Sequence, residues 1–370
     1  MPEPEVPSMI GRAALAADAA SEMAAVGLAA DDTLVAAPAP ARSQATTSAP
    51  PPAQQRSAVS LYCARKRLGT TNALDGMSLS IPEGEVTVLL GPNGAGKTTA
   101  IRVVTGALPL DSGSVEVLGL DPQVHGETVR RSCGVVSAKP ALYDRLSGWD
   151  NLRYAAELYG LGRADEAIRA ATARFGIERV LDQKVGGFST GMKTRLALAR
   201  SVLHDPELLL LDEPTSGLDP ESSYAVLGLI REYARAGSTV LLCTHLLAEA
   251  EGLADRIVVL DGGRDLAAGT PEELMSHWWP DAQVRIAADD PASLQIAARI
   301  VGVTGGQWQP DGSLTLRIDD PARTPDVVAA LVGAGVRLTR VTPFEPTLED
   351  LYFAVRGVTR GAMTTVEASR

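Results

Sequence analysis

Between about residues 58 and 270, short runs of apolar residues alternate with longer segments in which polar and apolar residues are mixed. The apolar runs predict buried strands at residues 86–90, 208–211, 239–243 and 257–260. The segment after the first run predicts a helix over residues 97–106. Because strands that alternate with helices form a largely parallel sheet covered on both faces, we expect an α/β fold in this region.

A mainly helical stretch, residues 144–187, interrupts this alternation. Its clearest helical patterns lie at residues 149–159 and 164–174. We therefore predict a helical insert within the α/β region.

From about residue 271 the pattern changes again. Strands are predicted at residues 284–287, 307–309, 314–318 and 336–341, and helices at residues 292–301 and 325–332. The order β-α-β-β-α-β predicts a small ferredoxin-like domain, and residues 347–355 are expected to form its closing helix. This accessory α+β domain is predicted to span residues 271–357, with a short tail at residues 358–370.

Residues 1–57 differ in composition from the rest. They hold eight of the 24 prolines and 17 alanines, and they contain no aromatic residue. So little bulky apolar surface does not offset the entropy of ordering, so we predict a disordered tail with a transient Ala-rich helix at 13–30. The acidic start is unlike a secretory signal. A docking peptide and a translation start further downstream are the alternatives.

Composition narrows the function classes. The chain of 370 residues carries 45 acidic and 34 basic residues, a net charge of -11, which argues against nucleic acid as a partner. The three cysteines are scattered, which disfavours a disulfide framework or zinc site and fits a reducing compartment. No apolar run approaches the roughly 20 residues of a membrane-spanning helix. From the length we expect roughly two or three domains, and we expect no spanning segment.

The segment from Gly91 to Thr98 reads Gly-Pro-Asn-Gly-Ala-Gly-Lys-Thr and matches the phosphate-loop pattern G-x-x-x-x-G-K-[ST]. It follows a predicted strand and precedes a predicted helix, as the motif requires. The glycines allow backbone N–H groups to surround a phosphate, Lys97 reaches the β- and γ-phosphates, and the Thr98 hydroxyl can ligate Mg²⁺. The predicted nucleotide contacts are Gly91, Asn93, Gly94, Gly96, Lys97, Thr98 and Thr99.

A second motif ends the apolar run 208–211 with two carboxylates, Asp212 and Glu213. Asp212 is expected to hold Mg²⁺ through water together with Thr98. Glu213 is expected to act on the attacking water as general base or as its orienting residue. A strand that merely ends in a solvated acidic pair is the alternative when this motif is considered alone.

Three further features specify the family. The segment Phe-Ser-Thr-Gly-Met-Lys at 188–193 precedes a helix predicted over 194–202, and Ser189 as N-cap with Gly191 forms a second anion cradle. This segment resembles the signature motif of ABC-transporter ATPases, usually LSGGQ. The segment Ser-Gly-Leu-Asp that ends at Asp219 resembles their D-loop, and His245 resembles their switch histidine. The resemblance covers about residues 58–270.

The resemblance implies a P-loop ABC ATPase with a helical subdomain at about 139–195. It implies ATP and Mg²⁺ as ligands, with Lys97, Glu213 and His245 in catalysis. The Ser189 cradle would meet the γ-phosphate of ATP held by a second copy, so a head-to-tail homodimer is expected, with Asp219 at its interface.

Residues 142–146, 150–152 and 346–350 resemble the drug- and polyketide-export branch of that family. In that branch the ATPase is a separate polypeptide that pairs with a membrane permease, which selects the cargo. The resemblance thus implies a cytoplasmic ATPase subunit on the inner face of the membrane. An importer, a soluble protein acting on ribosomes or DNA, and a nucleotide-binding regulator with little hydrolysis are the alternatives. The accessory domain is expected to be a dimer brace, a sensor or a permease contact.

Two positions depart from the family pattern. Ala138 stands where family members carry a glutamine that ligates Mg²⁺, which leaves water or Ser137 to complete the coordination, or slow hydrolysis. Leu68 stands where an aromatic ring stacks on adenine, which predicts weak discrimination between ATP and GTP. Tyr62 is considered as a substitute for that ring. The remaining histidines are expected at the surface: His125, His204 and His277.

Overall fold

The computed structural model describes residues 56–357, which form one compact unit. The predicted tails at residues 1–57 and 358–370 lie outside the described residues, apart from Arg56 and from Ser57, which opens the first strand. None of the helices within residues 56–357 is long and apolar enough to cross a bilayer.

Strands and helices are each numbered in the order in which they occur along the chain. The strands are β1 (Ser57–Leu68), β2 (Thr71–Pro82), β3 (Val86–Leu90), β4 (Ser112–Val117), β5 (Cys133–Val136), β6 (Leu208–Asp212), β7 (Thr239–Thr244), β8 (Arg256–Asp261), β9 (Arg264–Gly269), β10 (Ala282–Ala288), β11 (Val303–Trp308), β12 (Leu314–Ile318) and β13 (Leu338–Phe344). The α-helices are α1 (Lys97–Val104), α2 (Gly126–Arg131), α3 (Gly148–Leu158), α4 (Ala164–Phe175), α5 (Thr190–Ser201), α6 (Pro220–Arg235), α7 (Leu247–Ala250), α8 (Pro271–Trp278), α9 (Thr324–Gly333) and α10 (Leu348–Val355). Short 3-10 helices lie at Glu178–Val180, Val185–Gly187, Pro291–Arg299 and Pro321–Arg323.

The central sheet has the strand order β5-β6-β7-β3-β8-β9 and is parallel except for the edge strand β9. The predicted α/β fold is confirmed. Strand β6 shows why its sequence is apolar at every position: Leu208 and Leu210 pack into one core, and Leu209 and Leu211 into another. A strand buried on both faces needs such a continuous apolar run.

Strand order sets the position of the candidate site. Strands β6, β7 and β3 are parallel neighbours, so their carboxyl ends lie side by side. The residues that follow these ends are Glu213, His245 and Gly91, respectively. Ligands of open α/β sheets bind outside the carboxyl ends of the strands.

A three-stranded antiparallel sheet in the order β2-β1-β4 packs against one face of the central sheet. It was not among the predicted elements. The pairing of β1 with both neighbours shifts register near Cys63, which has a positive φ of 48°. Such bulges disrupt the two-residue alternation by which strands are recognised.

The helical insert contains the two predicted helices, as α3 and α4, and they pack with α5 around Leu152, Ile168 and Phe175. The rest of residues 144–187 consists of turns and short 3-10 helices. As predicted, the segment is mainly helical. Gly160 and Gly176 follow the ends of α3 and α4 with φ values of 69° and 61°, and such left-handed glycines end helices.

The C-terminal sheet has the order β11-β12-β10-β13 with antiparallel pairing throughout, which is the predicted ferredoxin-like arrangement. Its first helix is a 3-10 helix, Pro291–Arg299, rather than the α-helix predicted over 292–301. The sheet and its helices enclose a core of their own around Ile286, Leu294 and Leu316.

Helix α10 does not join that small core. Leu348 and Leu351 are buried with Leu274 of α8 in the larger core, and the Arg356 guanidinium lies 2.9 Å from an Asp261 carboxylate oxygen. This placement differs from the prediction that α10 closes the accessory domain. The domain boundary near residue 270 stays a prediction. Helices α8 and α10 follow residue 270 in the chain but pack in the larger core, which belongs to the region before it.

Candidate nucleotide-binding site

A cavity of about 580 Å³ opens at the carboxyl ends of β3, β6 and β7. Its size falls within the range of small-molecule sites. It gathers most of the predicted nucleotide, metal and catalytic residues in one place. The lining residues are Leu68, Thr71, Ala73, Asn93, Gly94, Gly96, Lys97, Thr98, Thr99, Ala138, Asp212, Glu213, Ser216 and His245.

The glycines of the loop between β3 and α1 have different roles. A Cβ on Gly91 would come within 2.2 Å of the Leu260 carbonyl oxygen, and one on Gly96 within 2.4 Å of the Ala73 carbonyl oxygen, so both positions need glycine for close packing. Gly94 has a φ of 80° and open space above it, so its backbone faces the cavity. The loop thus presents bare main chain where an anion would bind.

The Lys97 side chain is buried and turns back into this loop. Its ammonium donates to the carbonyl oxygens of Gly91 at 2.6 Å and Pro92 at 3.1 Å. The same ammonium forms an ion pair with Glu213, at 3.0 Å from Oε1. Among the described residues, that oxygen has no hydrogen-bond partner. A buried ammonium is costly unless it is paired, and these carbonyl and carboxylate oxygens supply the partners of Lys97.

Thr98 and Asp212 form the candidate metal position. The Thr98 hydroxyl donates to Oδ2 of Asp212 at 2.7 Å, while Oδ1 is buried and lacks a hydrogen-bond partner among the described residues. Burial raises the pKa of Asp212, and the bond from Thr98 opposes this. A hydroxyl beside a carboxylate with an unused oxygen is a donor set suited to Mg²⁺, so the residues present fit that ion.

Glu213 joins two of the strand ends. Its Oε2 lies 2.7 Å from Nδ1 of His245, and its backbone N–H donates to the Cys243 carbonyl at 2.9 Å. Glu213 also has a φ of 51°, a left-handed conformation that costs a non-glycine residue about 1–3 kcal/mol. Such a conformation persists only where surrounding contacts fix it, and it commonly occurs at functional sites.

The Ser189 turn lies apart from this cavity. Ser189 is the N-cap of α5, and its hydroxyl accepts from the Met192 N–H at 3.2 Å. Ser189 and Gly191 line a separate cavity of about 360 Å³ that shares no lining residue with the Lys97 cavity. Within one copy of the described chain, the two predicted anion cradles are therefore not brought together.

Asp219 lies beside the Ser189 turn. It is the N-cap of α6, where its Oδ1 accepts from the Ser222 N–H at 2.9 Å and its Oδ2 from the Ser222 hydroxyl at 2.7 Å. The backbone bond from Ser222 is the main cause of its lowered pKa. A Cβ on Gly191 would lie 3.5 Å from the Ser222 hydroxyl oxygen, so Asp219, Ser222 and Gly191 belong to one surface.

The two departures from the family pattern line the Lys97 cavity, since Leu68 and Ala138 both border it. Tyr62 is not among its lining residues and is exposed. The Ser137 hydroxyl donates to the Lys139 carbonyl at 3.0 Å.

One of the three histidines expected at the surface is placed differently. His204 is half-buried, with its ring stacked on Tyr159 at a centroid distance of 3.8 Å, and its Nε2 lies 3.1 Å from the Cys133 carbonyl oxygen. Burial lowers its pKa. The surface prediction was wrong for His204, whereas His125 and His277 are exposed.

Sequence reasoning did not single out Glu249. This carboxylate is buried on α7 and accepts from the hydroxyl of Thr244, at 2.5 Å, and from that of Thr215. The available signal was an acidic residue among apolar ones, four positions after His245, but an exposed helical position would give the same pattern.

Comparison with known proteins identifies the family. The model of the family described as ABC transporter matches residues 74–216. The daunorubicin resistance ATP-binding protein DrrA3 of Streptomyces coeruleorubidus is 37% identical over 308 residues, 81% of this chain and 96% of that protein. The daunorubicin/doxorubicin resistance ATP-binding protein DrrA of Streptomyces peucetius is 40% identical over 238 residues, 64% of this chain and 72% of that protein.

A solved structure described as the ATP-binding subunit of an ABC transporter agrees with these relatives. It is 32% identical, covers 60% of this chain and 92% of its own, and superimposes with a TM-score of 0.55. The predicted resemblance is confirmed: the chain belongs to the ABC transporter family, as an ATP-binding subunit of its drug-exporter branch.

Proposed function

We propose that this chain is a Mg²⁺-dependent ATPase that drives a separate membrane permease by closing head to tail with a second copy of itself. The observation that carries this proposal is the separation of the two anion cradles. The Lys97 loop and the Ser189 turn line different cavities, although each presents main-chain donors suited to phosphate. A second copy, turned head to tail, would place its Ser189 turn over the Lys97 cavity of the first.

Each residue of the cavity has a task in this reaction. Thr98 and Asp212 would hold Mg²⁺, which when bound neutralises charge on the phosphates. The Lys97 ammonium would bind the same phosphates, which compete for it with the Gly91 carbonyl and Glu213. Glu213 would then accept a proton from the attacking water or orient that water, and His245 would hold the Glu213 carboxylate through the 2.7 Å contact.

Coupling to a permease is supported by a second cavity, of about 550 Å³, between the helical insert and the central sheet. Exposed rings of Tyr143 and Tyr154 meet there at 5.4 Å in edge-to-face contact. Thr98 and Asp212 line this cavity as well as the nucleotide cavity. The segment 138–143 runs from one cavity to the other, so a permease element docked beside Tyr143 would contact residues adjacent to the metal position.

The proposal places the protein on the inner face of the cell membrane through its permease and leaves cargo selection to that partner. A nucleotide-binding regulator with little hydrolysis is the second candidate. It is favoured by Ala138 and Leu68, which line the cavity where a metal ligand and an aromatic ring are expected.

Two measurements test the proposal. Phosphate release from ATP is followed with Mg²⁺ or EDTA, in the presence and absence of membranes that contain the permease. Glu213→Gln, with exposed Glu166→Gln as control, is examined by light scattering after size-exclusion chromatography. We expect Mg²⁺-dependent release in the wild type and an ATP-dependent dimer in Glu213→Gln only. Nucleotide binding without hydrolysis under either condition would favour the regulator, and a Glu213→Gln protein that stays monomeric with bound ATP would contradict the dimer mechanism.

A further inference from the structure

Glu249 is a buried carboxylate with a partner on each oxygen. Its relative exposure is 4%, although it lies on the short helix α7. Oε2 accepts from the Thr244 hydroxyl at 2.5 Å, and Oε1 accepts from the Thr215 hydroxyl. Both threonines are buried. Each threonine hydroxyl is the donor in its bond, so both hydroxyl protons point at Glu249.

Thr244 connects this carboxylate to the switch histidine and to the phosphate loop. It directly precedes His245, and its carbonyl oxygen accepts from the Gly91 N–H at 3.1 Å. Its hydroxyl also accepts from the Leu246 N–H at 3.0 Å. Thr244 therefore fixes the backbone before and after His245, and it is itself bonded to Glu249 and to the phosphate loop.

Thr215 connects the same carboxylate to the segment that carries Glu213. It lies two residues after Glu213, and the Ser216 N–H donates to the Glu213 carbonyl at 3.1 Å. Glu213 has the left-handed φ of 51°, which needs fixing contacts from its surroundings. The bond from Thr215 to Glu249 is one such contact.

We propose that Glu249 is a positioning residue that holds the Glu213 and His245 segments in register, so that the Glu213 carboxylate and the His245 ring meet at 2.7 Å. Glu249 acts through Thr215 and Thr244 and does not touch the reacting atoms. This inference rests on the proposed ATPase function only for its kinetic consequence. Its structural consequence, the Glu213–His245 contact, is measurable without nucleotide.

The structural test uses protein labelled with ¹⁵N at its four histidines. The His245 ring signals are assigned by their loss in His245→Gln. We expect Glu249→Ala to move the His245 Nδ1 signal away from its hydrogen-bonded position and to leave the His204 signals unchanged, because His204 contacts the Cys133 carbonyl elsewhere in the fold. Asp265→Ala, which removes a carboxylate bonded to the Ser78 N–H, is the matched control and should leave His245 unchanged.

The kinetic test separates turnover from binding. We expect Glu249→Ala to lower kcat roughly 10- to 100-fold, as small misplacements of catalytic groups do, with KM for ATP changed less than about twofold. In a His245→Ala background, Glu249→Ala should lower kcat by less than about threefold. Substitutions of residues that act as one unit do not have additive effects. Glu249→Gln, which keeps one acceptor oxygen, should retain more turnover than the alanine variant.

Thr215→Val supplies a second route if Glu249→Ala does not fold, since it removes one hydroxyl at nearly constant shape, and it should also move the His245 signal. An unchanged His245 signal in a folded Glu249→Ala protein, or in Thr215→Val when the former does not fold, overturns the proposal. The proposal is also overturned if the His245 signal moves but Glu249→Ala lowers kcat by the same factor in the His245→Ala background as in the wild type. A moved signal in a protein that never hydrolyses ATP supports the positioning role and refutes only the ATPase assignment.

Discussion

Nδ1 of His245 lies 2.7 Å from Oε2 of Glu213, so the segments that follow two neighbouring strands are joined side chain to side chain. The other carboxylate oxygen of Glu213 lies 3.0 Å from the Lys97 ammonium, which belongs to the segment after the third strand. One carboxylate therefore contacts both the candidate phosphate-binding cation and the candidate switch residue. A substitution of Lys97 or His245 should therefore alter the position of the Glu213 carboxylate.

Lys97→Ala should weaken ATP binding. The substitution removes the cation that the loop directs toward the phosphates, and hydrogen bonds to charged groups contribute about 1.5–3 kcal/mol, or roughly a 10- to 100-fold change in Kd. Isothermal titration with ATP checks this, with exposed Lys184→Ala as control. Equal affinity in Lys97→Ala and the wild type would remove the loop lysine from nucleotide binding.

Leu68→Tyr should tighten ATP binding and sharpen its preference over GTP. Leu68 borders the Lys97 cavity and is 42% exposed, so a larger ring has room. Stacking of a base on an aromatic side chain contributes about 1–3 kcal/mol, which predicts an increase in affinity of at least about fivefold. Competition between ATP and GTP for a fluorescent nucleotide measures it, and Leu68→Ile is the matched aliphatic control. No gain for the tyrosine variant would place the base elsewhere.

The apolar runs predicted the central sheet because β6 and β7 are buried on both faces and leave little choice of structure. Strand β1 was missed since its bulge near Cys63 disrupts the alternation. The phosphate loop and acidic strand were recognisable because backbone and ion chemistry fix their residue types at set spacings. The buried role of Glu249 depends on contacts with Thr215, 34 positions away, which no local pattern contains.

Asp75→Asn should remove a component of stability that the wild type loses in acid. Asp75 lies within hydrogen-bond distance of the guanidinium groups of Arg65 and Arg264, and the bond from Arg264 is the largest cause that lowers the Asp75 pKa from its ordinary 3.8. A carboxyl group whose pKa is lowered by folding stabilises the fold at a pH above its unfolded-state pKa. This contribution to stability is lost as the pH falls through its folded-state pKa.

Urea unfolding measured from pH 7 down to pH 2 checks the Asp75 prediction. The wild type should be more stable than Asp75→Asn at neutral pH, and the difference should diminish below about pH 3.8 as the wild-type carboxylate is protonated. The difference should also shrink in high salt, because the arginines are largely exposed and salt screens surface charges. A difference that stays constant across this pH range would contradict the assignment.

Leu351→Ala should destabilise the larger core although it lies in the last described helix. Leu351 is 1% exposed and packs with that core rather than with the C-terminal sheet. Removing a buried leucine side chain costs about 2–5 kcal/mol, so the urea midpoint of unfolding should fall clearly. Exposed Val332→Ala on α9 is the control. A midpoint unchanged by Leu351→Ala would mean that α10 does not pack as described.

Ala138→Gln should raise turnover and lower the Mg²⁺ concentration that turnover requires. Ala138 borders the cavity that contains Thr98 and Asp212, and a carboxamide oxygen there adds the kind of ligand that Mg²⁺ prefers. Phosphate release as a function of Mg²⁺ concentration measures both effects. Ala138→Leu adds bulk without an oxygen and should give no such gain, so a benefit shared by both variants would come from packing. If the glutamine variant hydrolyses ATP no faster and needs as much Mg²⁺ as the wild type, the metal is fully coordinated without position 138, and the alanine carries no penalty in this chain.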